Sequence, residues 1–201
     1  MKVGIVELST SNLFSVKSAC EYFNLNTTIS SDTSQLRNMD ALILPGVGSF
    51  KEAMNFLKKK KLIELIHEFN EKEKKLMGIC LGFQLLFSDS SEFGKCSGLN
   101  LVKGKVENLE TLNKKIHTGW NKINKEKNSN VLTEVEFKQM YYFTHSFVAK
   151  PKDEKMILST TTFDNFKFCS AIEYKNIFGC QFHPEKSGKQ GIKIYYNFLK
   201  G

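Results

Sequence analysis

A chain of 201 residues is long enough to bury one sizeable core and too short for two ordinary domains, so 1–201 is read as a single domain. Hydrophobic residues at 41%, aromatics at 12% and only three prolines exclude a disordered or fibrous protein. A formal charge of +8 raises nucleic acid or an anionic membrane as partner, but the lysines at Lys58 to Lys61 and Lys72 to Lys75 sit among Glu64, Glu68, Glu71 and Glu73, as on a solvated helix face, with no aromatic-basic stripe, so neither partner is expected.

The chain opens with Met1-Lys2-Val3-Gly4-Ile5-Val6-Glu7, where one short apolar run meets an acid. That run is too short for a signal-peptide core or a spanning helix, and the expected location is the cytoplasm. Val3 to Val6 reads as a buried strand, and Asn12 to Phe23 as a helix with Leu13, Val16, Ala19, Cys20 and Phe23 at helical spacing. Ala41 to Leu44 is a second strand stopped by Pro45-Gly46-Val47-Gly48, and Phe50 to Phe69 is helical in pattern. Leu76 to Ile79 is a third strand, and Phe83 to Phe87 begins another helix.

Beyond that point the pattern is less regular. Strands, partly antiparallel, are expected around Leu99 to Ile123 and Val131 to Tyr174, joined by polar turns such as Lys125 to Asn130. Phe178 to Phe182 reads as a strand ending at His183-Pro184, and Gly191 to Leu199 as a closing helix. Strand-length apolar runs alternating with amphipathic stretches imply an α/β protein with a parallel sheet and helices on its faces. The sequence has no internal repeat, low-complexity tract or linker.

The five cysteines, Cys20, Cys80, Cys96, Cys169 and Cys180, are odd in number, scattered and without a C-x-x-C pair. They read as separate thiols, neither a disulfide framework nor a zinc site, and four of them as small buried residues. Cys80 differs because Gly78-Ile79-Cys80-Leu81-Gly82 sits where a strand meets a helix, in the G-x-nucleophile-x-G form of a nucleophile elbow. A sharp turn there strains the nucleophile's backbone and leaves no room for side chains two residues either side. The start of a helix also favours the thiolate through its unpaired amides and dipole. Alone, the run is equally what a buried cysteine between two glycines gives.

A cysteine nucleophile needs a base, a group that orients the base, and an oxyanion hole. His183-Pro184-Glu185 follows the last expected strand, and residues two apart in extended backbone face the same way. His183 is thus placed to take the thiol proton and return it to the leaving group, with Glu185 fixing its tautomer. His67, His117 and His145 have no carboxylate at that spacing, and His67 reads as surface. The glycines flanking Val47 permit a peptide flip that aims a backbone N–H at an oxyanion, with Leu81 supplying the second donor. As a nucleophile held by side chains and backbone amides, the site implies no metal and no organic cofactor.

These three segments together resemble the class I glutamine amidotransferases, whose signatures read much like Gly78-Ile79-Cys80-Leu81-Gly82-Phe83-Gln84 and Gln181-Phe182-His183-Pro184-Glu185. Within that class the chain is most similar to the glutaminase subunits of imidazole glycerol phosphate synthase. The marks are Leu44 to Phe50, Gly119-Trp120-Asn121, Tyr142 to Ser146 and His183 to Gly188, and the resemblance runs essentially end to end. It implies a three-layer flavodoxin-like fold with a central, mostly parallel sheet and helices on both faces. It also implies glutaminase chemistry by a Cys80, His183, Glu185 triad, with Val47, Gly48 and Leu81 at the oxyanion hole. Gln84, Glu92, His145, Ser146 and Phe147 would bind glutamine, Glu92 through the ammonium and the backbone at Ser146 and Phe147 through the carboxylate. Asn12, Trp120, Tyr142 and Lys186 would face a (β/α)8-barrel cyclase, forming a heterodimer that passes ammonia onward in histidine biosynthesis.

The chain ends sixteen residues after Glu185, which leaves the synthase on a separate polypeptide as the expectation. One stretch departs from the family: where it usually shows Asp-Tyr-Gly-x-Gly-Asn, Glu7-Leu8-Ser9-Thr10-Ser11-Asn12 keeps only the asparagine. A second reading therefore stays open, a paralogue supplying ammonia for amidination of bacterial surface sugars. A non-catalytic module and a γ-glutamyl or cysteine peptidase on the same fold are disfavoured by the complete triad and by Gln84.

Overall fold

Val3, Ile5, Ala41, Ile43, Met77 and Ile79 pack into one core while Val6, Leu42, Leu44 and Leu76 pack into a second, so successive residues of the apolar runs point to opposite faces of one sheet. Both faces are covered, which is why these strands read as continuous apolar runs and do not alternate with polar residues.

The computed structural model describes residues 1–8, 12–109, 116–136 and 139–201. Ser9 to Ser11 of the first loop, and residues 110–115 and 137–138 within the stretches expected to hold strands, lie outside the described residues. In chain order the elements are β1 (Lys2–Val6), α1 (Leu13–Glu21), β2 (Asn26–Ser30), α2 (Thr33–Leu36), β3 (Ala41–Leu44), α3 (Phe50–Lys59), α4 (Leu62–Glu71), β4 (Lys75–Ile79) and α5 (Leu81–Leu85). They continue as β5 (Phe87–Ser90), β6 (Cys96–Ser97), β7 (Val102–Asn108), β8 (His117–Lys122), β9 (Asn124–Lys125), β10 (Met140–His145), β11 (Phe147–Pro151), β12 (Ile157–Phe163), β13 (Phe166–Tyr174), β14 (Ile177–Cys180) and α6 (Gly188–Lys200).

The main sheet has the order β2-β1-β3-β4-β14-β13-β12-β9. β2, β1, β3, β4 and β14 are parallel neighbours, and β13, β12 and β9 extend the sheet antiparallel. α1 and α6 contribute to the core on one face and α3, α4 and α5 to the core on the other. The expected α/β architecture with helices on both faces is therefore present, with the parallel part confined to five strands. A four-stranded sheet, β11-β7-β5-β6, and a ribbon of β10 with β8 stand beside it. No helix among the described residues is long and apolar enough to cross a membrane.

Several expected boundaries move. The stretch Phe50 to Phe69 is two helices, broken where Lys61 takes φ 54. Phe87 does not extend a helix; it opens β5, and the helix after Cys80 is only the five residues of α5. The last parallel strand stops at Cys180, so Gln181 and Phe182 already belong to the turn that delivers His183. β2 and α2, both short and polar, escaped the periodicity reading altogether.

The topology fixes where chemistry can occur. β3, β4 and β14 are adjacent and parallel, with Leu44 opposite Gly78 and Cys180 opposite Ile79. The segments leaving their C-terminal ends, Pro45 to Gly48, Cys80 to Leu81, and Gln181 to Glu185, must emerge side by side at one edge of the sheet.

Candidate functional site

Cys80 stands between β4 and α5 with φ 52 and ψ −106, a conformation that L-residues rarely adopt. The flanking glycines explain how the turn closes. A Cβ on Gly82 would lie 1.6 Å from the Leu44 carbonyl oxygen, and one on Gly78 would lie 2.8 Å from the Gly82 carbonyl oxygen and the Phe83 Cα. The Cys80 N–H donates to the Cys180 carbonyl at 2.8 Å, and the Cys80 carbonyl accepts from the Gln84 N–H at 3.1 Å. Because α5 is so short, these bonds and the tight packing hold the elbow, and the helix dipole contributes little.

His183 is brought to the sulfur by β14 and pinned through its backbone, whose N–H donates to the Tyr142 carbonyl at 2.8 Å. Nδ1 faces Glu185 Oε1 at 2.8 Å, an acceptor, so this nitrogen carries a proton and Nε2 is turned toward the chemistry. Nε2 is buried without a hydrogen-bond partner among the described residues. Burial disfavours a charged ring, yet the negative charge of an ionised Cys80, followed by the hydrogen bond and charge of Glu185, outweighs it and pushes His183 up to about 10. The sulfur itself lies 3.7 Å from the Thr144 carbonyl, which accepts the S–H, so the thiol must turn before Nε2 can take its proton.

Glu185 is satisfied from three directions. Oε1 accepts from His183 and from the Asn12 amide, and Oε2 accepts the Tyr195 hydroxyl at 3.2 Å. Burial first, and the Glu185 charge next, hold Tyr195 as a neutral phenol able to donate.

A cleft of about 410 Å³ opens over Cys80, lined by Val47, Gly48, Leu81, Gln84, Glu92, Thr144, His145, Ser146 and Phe147, with Phe93 and Ile116 at the rim. Every residue expected at the oxyanion hole or in glutamine binding thus borders one space. A larger cleft of about 510 Å³, beside Glu126 and Lys167, contains none of them. Glu92 Oε2 accepts the Phe50 N–H at 2.6 Å, where α3 begins, so its carboxylate is held at the cleft wall. The Leu81 N–H donates to the Gly46 carbonyl at 3.3 Å, and Gly48 has φ 120, which only glycine adopts without strain.

His145 does not line the cleft as a charged group. Its Nδ1–H donates to the Phe147 carbonyl at 2.9 Å, which leaves Nε2 to accept from His117 Nδ1 at 3.0 Å. Burial keeps both rings neutral, His145 down to about 3 and His117 to about 4. The Phe147 carbonyl also accepts from Gln84 Nε2 at 3.0 Å, so two buried side chains fix the backbone on that side of the cleft.

Of the residues expected against a partner, Trp120 is 54% exposed and stacks edge-on with Tyr142, with ring centroids 5.8 Å apart. Lys186 lies over the Tyr142 ring at 5.4 Å, so the three form a column directly outside His183. Asn12 instead turns inward to Glu185. Residues that the sequence reading assigned no role also belong to the site: His117, Tyr195 and Gln181. Gln181 lies in the same short run as His183 and Glu185 and was legible there; His117 and Tyr195 join only through tertiary contact.

The chain matches a family model, glutamine amidotransferase class-I, over residues 2–201. It is similar to the imidazole glycerol phosphate synthase subunit HisH of Lactococcus lactis subsp. lactis, 42% identical with 99% of this chain and 98% of that one covered. The protein of that name from Caldanaerobacter subterraneus subsp. tengcongensis is 40% identical, covering 98% of this chain and 96% of its own. Among solved structures, a glutamine amidotransferase crystal structure superposes with TM-score 0.78 at 16% identity, covering 98% of this chain and 97% of that one. PurLQS from Thermotoga maritima gives 0.77 at 21%, covering 99% and 97%. At such identities these two structures speak for the fold alone.

Proposed function

The chain belongs to the class I glutamine amidotransferase family, and from that premise we propose that it is the glutaminase subunit of an imidazole glycerol phosphate synthase, one domain that releases ammonia from glutamine. The observation that carries the reading is the strained Cys80 at the floor of a cleft, beside a histidine whose far nitrogen is locked by Glu185. The name shared by the similar proteins supplies the acceptor pathway.

With His183 raised to about 10, the Cys80 proton already resides on His183 Nε2 near neutral pH, and the thiolate Sγ attacks the side-chain carbonyl carbon of glutamine. His183 then protonates the departing nitrogen, ammonia leaves, and a thioester to Cys80 remains. His183 next takes a proton from water, which opens the thioester and frees glutamate. Gln84, Glu92 and the backbone at Ser146 and Phe147 hold the substrate's polar ends, and His145 acts by fixing that backbone.

The oxyanion hole is unassembled in this conformation. The Gly46 carbonyl receives the Leu81 N–H, and Gly46 C=O and Val47 N–H belong to one peptide and point in opposite directions. An acceptor therefore stands where the developing oxyanion requires donors. Rotating that single peptide turns Val47 N–H inward and frees Leu81 N–H, and the glycines at 46 and 48 make the rotation affordable. The partner, a (β/α)8-barrel cyclase docking on Trp120, Tyr142 and Lys186, drives the rotation and receives the ammonia. Ammonia then reacts with a ribonucleotide intermediate, which is cleaved to imidazole glycerol phosphate and an aminoimidazole ribonucleotide, in the cytoplasm.

In the complex, Cys80→Ala should abolish glutamine-dependent synthesis while synthesis from ammonium salts persists; loss of both would assign Cys80 a structural role. The divergent Glu7 to Asn12 loop favours a second reading, ammonia supply for surface-sugar amidination. Rescue of a histidine auxotroph lacking this subunit decides between them, and failure despite soluble co-expression with the native partner would favour the sugar pathway.

A further inference from the structure

We propose that Gln181 is the hydrogen-bond donor that stabilises the Cys80 sulfur as a thiolate, at the end of a polarised amide chain starting from the Phe147 carbonyl. The inference rests on reading Cys80 as the nucleophile. Donor and acceptor roles along the chain follow from its fixed end. The Phe147 carbonyl can only accept, so the Gln84 atom 3.0 Å from it is the amide nitrogen. The same nitrogen lies 3.1 Å from Gln181, and its second hydrogen requires an acceptor there, which is Gln181 Oε1. The Gln181 amide nitrogen is then left facing Cys80 Sγ at 3.7 Å, within range of an N–H···S bond.

Gln181 is fully buried, and its backbone N–H donates to the Ser170 carbonyl at 2.9 Å, so no water competes for the amide and it has no room to swing away. The sulfur also has the Thr144 carbonyl at 3.7 Å. The two contacts favour opposite states. A thiol gives its hydrogen to Thr144; a thiolate loses that bond and strengthens the one from Gln181, because donors to an ionised acceptor bind about twice as strongly. Protonated His183 also stabilises the thiolate, by its charge, and Gln181 adds a neutral donor that is present at every pH of the profile. The other titratable groups around the sulfur are Glu185 on the far side of His183, Glu92 in the wall of the same cleft, His145 at the end of β10, which burial keeps neutral, and Cys180 in β14, which burial keeps as a thiol.

The test reads the sulfur and leaves glutamine out. Alkylation of Cys80 in the full chain by iodoacetamide, followed by mass spectrometry from about pH 5 to about pH 10, reports the thiolate fraction. Gln181→Glu keeps the acceptor for Gln84 and sets an oxygen against the sulfur. It should move the midpoint of the profile up by about one pH unit, roughly a tenfold loss on the acid limb, with the high-pH plateau unchanged. Gln181→Asn withdraws the amide by one methylene and should shift the profile the same way by less. In the unsubstituted chain labelled with ¹⁵N-glutamine, the Gln181 side-chain N–H signal should move downfield with that same midpoint, and should not move in Cys80→Ala.

An unmoved profile in a folded variant overturns the proposal, and so does an amide signal indifferent to pH. The second measurement needs no change at 181, so a variant that fails to fold does not shelter the idea. Should the Cys80→Ala complex instead keep glutamine-dependent synthesis, the nucleophile reading fails while the alkylation result stands by itself.

Discussion

Glu185 takes hydrogen bonds from donors that reach it out of three separate parts of the chain, His183, Asn12 and Tyr195. A buried carboxylate so held cannot rotate, and through Nδ1 neither can the imidazole. Asn12→Ala should therefore lower the glutaminase kcat of the complex about tenfold with KM nearly unchanged; an unaltered kcat at saturating partner would confine Asn12 to the interface. The histidines make a second prediction. His183 is raised from 6.5 to about 10, so its stabilisation is complete below about pH 6.5 and fades as pH climbs through 10. His117 and His145, lowered to about 4 and about 3, act in the opposite sense: their contribution is whole above pH 6.5 and lost as pH falls through 4 and 3. Thermal unfolding followed against pH should show both limbs. Cys80→Ala should flatten the alkaline limb and His117→Phe should shrink the acid one to the part that His145 supplies, and limbs indifferent to these changes would contradict the assignment.

Elements are joined here by contacts that leave no slack. Gly82→Ala would drive a Cβ into the Leu44 carbonyl, which is backbone of the neighbouring strand and cannot move aside. It should cost more than about 4 kcal/mol, or prevent soluble expression. Gly48→Ala meets open space and should cost only about 1 kcal/mol from its φ of 120, as read by chemical denaturation; equal penalties at the two sites would refute the packing explanation. The break between α3 and α4 was legible in the sequence. The buried stripe Phe50, Ala53, Met54, Leu57 continues at helical spacing onto Lys60, Lys61 and Glu64, while the apolar residues resume out of phase at Leu62, Leu65, Ile66 and Phe69. The end of α5 was not legible, since Leu85, Leu86 and Phe87 are all fully buried and a buried run has no periodicity to separate helix from strand.

Across the whole molecule, three parallel strands deliver the Gly46–Val47 peptide, Cys80 and His183 to one edge, and the Trp120, Tyr142 and Lys186 column stands immediately outside them. On the proposed function, a partner docked on that surface would lie close to the Gly46–Val47 peptide whose rotation is proposed to complete the oxyanion hole. Gaining a single oxyanion donor changes kcat by about 10²–10³. The isolated chain should accordingly hydrolyse glutamine slowly, with stimulation of about that size when the ligand-loaded barrel binds; full glutaminase activity of the chain alone would be incompatible with the Gly46 to Leu81 bond. By itself the sequence determined the candidate residues Cys80, His183 and Glu185 proposed as nucleophile, base and orienting acid, because each lies in a short local pattern: glycines two either side of Cys80, and a carboxylate two after His183. It also determined the alternation of strand and helix, since strands buried on both faces must be apolar throughout. Only the tertiary structure decided that Asn12 and Tyr195 meet at Glu185, that His117 supports His145, and that Gln181 faces the sulfur. Those contacts join positions as much as 173 residues apart, and their distances are set by strand order and helix docking, which no local pattern encodes.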